Sequence, residues 1–104
     1  MALKRNYITK SGVAVAYWKL SNFSPVLSQK IMNIELVPYV SDRTRQDGYE
    51  PVFEEKRMVR VNRQNFEEYF SPEALNRNSQ KNFYEVIYQF VKEQDEFFQN
   101  AQDC

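Results

Sequence analysis

The chain has 104 residues with fourteen cations and fourteen acids, no histidine, and one cysteine, Cys104. That length suits a single domain, 1–104, with a modest core, and eight phenylalanines and seven tyrosines against two glycines describe an ordered chain. Without histidine the commonest general base and transition-metal ligand are missing, and a lone terminal cysteine excludes an intrachain disulfide or a zinc-type ligand set.

Leu3 to Thr9 reads as a short strand closed by a turn at Lys10-Ser11-Gly12, where glycine reaches positive φ cheaply. Val13 to Leu20 is the strongest strand pattern, apolar on both sides, and should pair with the first as a hairpin. Ser21 to Ser28, with Pro25, reads as a connection. Lys30 to Val40 alternates, placing Met32, Ile34 and Leu36 on one face, and Pro38 fits an edge or a strand end. Ser41 to Pro51 is polar, holds Gly48, and reads as a long exposed loop. Val52 to Val61 is expected as a fourth strand with Phe53, Val59 and Val61 inward.

The period then changes. Asn65 to Phe70 suggests a helical turn, and Ser71-Pro72-Glu73 is a helix start, with serine as cap and proline at the first position. Ser79 can cap a last helix running to about Ala101. On it Phe83, Val86, Ile87, Phe90 and Phe97 form one apolar stripe, with Tyr84, Tyr88, Val91 and Phe98 beside it. An arc this wide needs a sheet plus a neighbouring element, or a second chain, to cover it. Strands first (1–63) and helices after (64–104) predict an α+β fold: a four-stranded, mainly antiparallel sheet with C-terminal helices on one side.

Charge is unevenly placed. Up to Arg63 eleven cations face six acids, a net of +5, whereas from Glu85 onward five acids face Lys92 alone, a net of −4. Either an acidic helix lies across a basic sheet within one molecule, or complementary patches join subunits head to tail. Lys4, Arg5 and Asn6 break any apolar run near Met1, and no stretch approaches the ~20 apolar residues of a membrane span. A soluble protein made in the cytoplasm, with no membrane contact, is expected.

Catalytic chemistry has little to work with. The adjacent acids Glu54-Glu55 would point to opposite faces of a strand, and Glu67-Glu68 sit in a polar helical turn. No catalytic residue, cofactor or metal is expected. Nucleic-acid binding has a candidate in Lys56, Arg57, Arg60 and Arg63, with Tyr17 and Trp18 on a neighbouring strand, because aromatics flanked by cations hold single strands. The zero net charge and the lack of a ribonucleoprotein or helix-turn-helix signature weigh against it. The loop 41–51 is either a recognition element or a plain connection; Tyr49 in it is a reasonable partner anchor.

Met1-Ala2-Leu3-Lys4, then Ser11-Gly12-Val13 and Tyr17-Trp18-Lys19-Leu20, followed by a polar loop with an arginine (Arg43 or Arg45) and a later proline (Pro51), resemble short structural proteins of tailed bacteriophages and prophages. The resemblance spans residues 1 to 61; the aromatic C-terminal helix departs from it. It implies a non-enzymatic virion component of the tail, baseplate, fibre-attachment region or neck, made in the host cytoplasm. Its partners would be other virion proteins and further copies of itself in a ring or other symmetric assembly. The interface residues expected on this reading are Trp18, Arg43, Arg45, Tyr49, Tyr84, Tyr88, Phe97 and Phe98. The alternatives are a small nucleic-acid-binding or regulatory protein using the basic strand, and an inhibitor of a host protein.

Overall fold

The computed structural model describes residues 2–104. Five strands, β1 (Leu3–Ile8), β2 (Ala14–Val26), β3 (Ile31–Tyr39), β4 (Arg57–Val61) and β5 (Gln102–Asp103), form one antiparallel sheet in the order β4-β3-β2-β1-β5. Helices α1 (Asp42–Gln46), α2 (Arg63–Phe70), α3 (Pro72–Arg77) and α4 (Phe83–Gln94) complete an α+β fold. The expected β1–β2 hairpin forms, and Gly12 takes φ 84° in its turn. The Thr9 hydroxyl accepts the Val13 N–H there, which fixes the turn from the side.

The fifth strand was not expected. After α4 the chain makes a short 3-10 turn, Glu96–Phe98, and then lays Gln102 and Asp103 beside Lys4 and Leu3. Reciprocal bonds between the backbones of Ala2 and Cys104 close that edge. Both ends of the chain therefore build the sheet, and 64–104 is not purely helical.

β2 also runs further than expected, through Ser21 and Pro25 to Val26, so the β2–β3 turn falls at 27–30. The reason lies on both sides of the strand. β3 presents Met32, Ile34 and Leu36 to the core and holds β2 from Tyr17 to Val26. β1, by contrast, pairs no further than Trp18, so beyond it β2 is an edge where a proline without N–H is tolerated. A bulge between Leu20 and Asn22 marks the change.

Residues 41–51 are less open than a plain loop. Ser41 caps α1 by accepting the Thr44 N–H, and Arg45 pairs with Asp42. β4 begins only at Arg57, because Phe53–Glu55 coil into a 3-10 turn; Phe53 is consequently exposed rather than inward, while Val59 and Val61 point into the core. Glu54 and Glu55 therefore lie in a turn and not, as expected, on opposite faces of a strand. Ser71 and Pro72 start α3 as expected. The cap of α4 is Asn82, not Ser79, and the helix stops at Gln94, where extended Asp95 takes over and caps the following turn through Phe97 N–H.

The wide apolar arc of α4 is covered by its own chain. Val86, Ile87, Phe90 and Val91 join Leu3, Trp18, Ile34, Leu36 and Val61 in one core. Phe90 meets Tyr69 and Phe70 of α2, and Phe83 meets Phe23 of β2 and Phe70. The helices are not all on one face. Trp18 and Tyr17 are neighbours in a strand and point opposite ways; Trp18 packs on Phe98, while Tyr17 lies under Arg45 of α1 on the other side.

Candidate interaction surface

The eight residues expected at an interface separate into two groups. Trp18 and Phe98 are fully enclosed and pack edge to face at 5.4 Å, and Tyr88 is buried with its hydroxyl accepting the Leu20 N–H at 2.7 Å. All three belong to the core of this chain rather than to its exposed surface. Phe97 is half-buried beneath two guanidiniums, with the Arg5 and Arg57 central carbons 4.0 and 3.9 Å from its ring centre. Arg5 also donates to the Phe97 carbonyl at 2.7 Å.

Arg43, Tyr49 and Tyr84 are exposed, Tyr49 by 67%. Among the described residues the Arg43 side chain makes one long solvent-facing pair, with Asp47. Arg45 is occupied: it bonds Asp42 and sits 5.5 Å above the Tyr17 ring, and the Asp42 hydrogen bond pushes its pKa further up. Tyr84 packs against Phe23 on one side and leaves its other side open.

The four cations proposed for nucleic acid do not form one stripe. Lys56 pairs with Glu35 at 3.5 Å, and Arg57 turns onto Phe97. Of the four, only Arg60 on β4 and Arg63 at the start of α2 stand exposed with no side-chain hydrogen bond or ion pair among the described residues, and Arg63 still acts electrostatically on Glu67. Tyr17 and Trp18, the aromatics meant to accompany them, are buried. Alternation along a strand, which sends Arg57 and Arg60 to opposite faces, is the cause.

Some exposed groups escaped the sequence reading. Phe53 and Met58 are 54% and 59% exposed, and with Val40 and Tyr49 they place four exposed apolar side chains along the connection from β3 into β4. Both hairpin tips are apolar too, with Ile8 and Val13 at one and Val26 and Leu27 at the other. Met58 lies between Arg57 and Val59 on the face of β4 turned away from the core, and no sequence signal separates an outward methionine from a covered one.

The acidic C-terminal segment finds partners near at hand. Glu93 accepts from Tyr69 and Gln89, and Asp103 pairs with Lys92 at 3.4 Å. A concavity of about 630 Å³ along α4 is lined by alternating charges, among them Lys81, Glu85, Lys92 and Glu93. Of the Glu67-Glu68 pair, Glu67 is held by Lys30 at 2.7 Å, and that hydrogen bond keeps its carboxyl below the usual range. No group of His, Cys, Asp and Glu suited to a metal ion occurs among the described residues, and no helix is long and apolar enough to cross a membrane. No known protein family, curated protein or solved structure matches the chain.

Proposed function

We propose that this is a non-enzymatic structural protein of a tailed-phage virion, joining subunits in the tail, baseplate or neck. The observation that carries the reading is the set of four exposed apolar side chains within residues 40–58, Val40, Tyr49, Phe53 and Met58, on a fold that has a core of its own. Aromatic and methionine side chains are enriched where proteins meet, and a repeated contact needs such groups but no reaction centre. The resemblance of residues 1–61 to phage structural proteins supplies the setting, and other virion proteins and further copies of the chain are the partners.

Quantitative mass spectrometry of purified particles tests this. The expected result is a fixed copy number per particle, lost in a Tyr49→Ser/Phe53→Ser variant that still folds by circular dichroism. Finding the chain only in the free protein fraction of the lysate would overturn the assignment.

A further inference from the structure

We infer that two copies of this chain pair antiparallel along β4, with a twofold axis through Val59, making one sheet continuous across the dimer. Exposed strand edges invite pairing, and proteins ordinarily blunt them with bulges, prolines or shortness. The other edges here are blunted in these ways. β1 is irregular between Lys4 and Tyr7, β2 beyond Trp18 carries a bulge and Pro25, and β5 is two residues long. β4, five residues long, has neither a bulge nor a proline; its guards are the cations Lys56, Arg57 and Arg60, of which the first pairs with Glu35 and the second turns onto Phe97. The strand pairs with β3 without a register shift, and among the described residues has no strand on its other side.

The charges also fit a twofold pairing. Asn62 is extended and carries the straight run one residue past β4, while Lys56 at the other end (φ −57°, ψ 146°) leads out of the 3-10 turn. Full overlap about Val59 sets Arg57 against Val61 and Met58 against Arg60, so that the exposed methionine lies under an arginine stem. Just outside, Glu55 of each copy meets Arg63 of the other. Neither makes a hydrogen bond or ion pair through its side chain among the described residues. Arg63 is moreover out of place for its own helix: α1, α3 and α4 each carry an acid in the first turn, whereas α2 has none and begins with this arginine. A cation at a helix N-terminus opposes the dipole; Glu67 one turn on feels its charge but is itself bonded to Lys30, and an acid from a partner would offset the arginine further. Arg57, which could have guarded the edge, is instead turned onto Phe97.

This names one contact within the assembly reading and rests on that reading for its setting, but the two fail separately. Absence from particles would remove the virion role and leave the dimer standing. A short edge falls at the low end of interface sizes, so a concentration-dependent dimer with Kd on the order of micromolar is expected.

Sedimentation velocity on the full chain, with Glu55→Arg, Arg63→Glu, their equimolar mixture and the double variant, is the test. Each single variant places like charges together twice and should weaken self-association by about tenfold or more. The mixture should associate as a heterodimer, and the double variant should return close to wild type, since both restore opposite charges at both contacts. Amide exchange along 57–61 should slow as concentration rises. A wild-type chain that stays monomeric at millimolar concentration, single variants that associate like wild type, or a mixture that fails to recover would each overturn the pairing.

Discussion

The Leu20 amide donates to the Tyr88 hydroxyl at 2.7 Å, tying the middle of α4 to β2 at the residue where β2 loses β1 and enters its bulge. A backbone donor freed by that irregularity is answered by a side chain from 68 positions away. Tyr88→Phe keeps the ring and removes the acceptor, leaving a partly buried N–H unpaired. The expected loss is about 1–2 kcal/mol, read as a lower urea midpoint with an unchanged slope. An unchanged midpoint would mean that water replaces the hydroxyl at no cost.

Alkaline pH should act on the same bond. Burial raises the Tyr88 hydroxyl above its ordinary value of 10.0, only partly opposed by the Leu20 N–H. Tyr69 is raised by burial and then by its bond to Glu93, and Tyr17 by burial against the pull of Arg45. Each group ionises more readily unfolded than folded. Their contribution is therefore intact below the unfolded value and is lost as pH climbs through the folded ones. Thermal midpoints should fall as pH rises above about 10, with a shallower fall in Tyr88→Phe. Parallel curves for the two proteins would assign the alkaline loss elsewhere.

Arg57 and Arg60 lie three residues apart with different duties. Arg57→Ala uncovers the Phe97 ring and should cost about 1 kcal/mol, whereas Arg60→Ala, a free surface cation, should stay within about 0.5 kcal/mol of wild type. Denaturant titrations of the two single variants decide this. Equal losses would show that the stacked arginine contributes no more than any surface charge.

At the start of α4 it is Asn82, and not Ser79, that accepts a helix N–H, that of Glu85 at 2.9 Å. Asn82→Ala should cost about 1 kcal/mol and Ser79→Ala almost nothing, measured by thermal melting. The reverse order would move the helix start by a turn.

That asparagine illustrates what could be read in the chain and what could not. Local chemistry was legible: the Gly12 turn, the inward row Met32-Ile34-Leu36, the Ser71-Pro72 helix start and the α+β class all follow from period and caps. Features created by distant partners were not. Ser21 to Val26 becomes strand because β3 is there to hold it, and Gln102–Asp103 because β1 offers Leu3 and Lys4. The candidate surface suffered in the same way. Trp18, Tyr88 and Phe98 have the bulk of interface anchors, and whether such bulk turns outward or inward depends on which element lies over it. Nothing in the local pattern told Phe97, stacked under two arginines, from its wholly enclosed neighbour Phe98.

Trp18 gives that distinction an optical readout. It is the only tryptophan, wholly enclosed, with its indole N–H donating to the Arg5 carbonyl at 2.9 Å and Tyr7, Phe97 and Phe98 around its ring. Emission from such a site should be blue-shifted and resist acrylamide, and should not change with protein concentration, because association through β4 leaves the Trp18 pocket untouched. Trp18→Ala would leave a large cavity and should cost about 3–5 kcal/mol, against a much smaller loss for Tyr49→Ala on the surface. A tryptophan that is quenched freely in the dilute protein and shielded only at high concentration would return Trp18 to the interface and break the separation between core and contact surface.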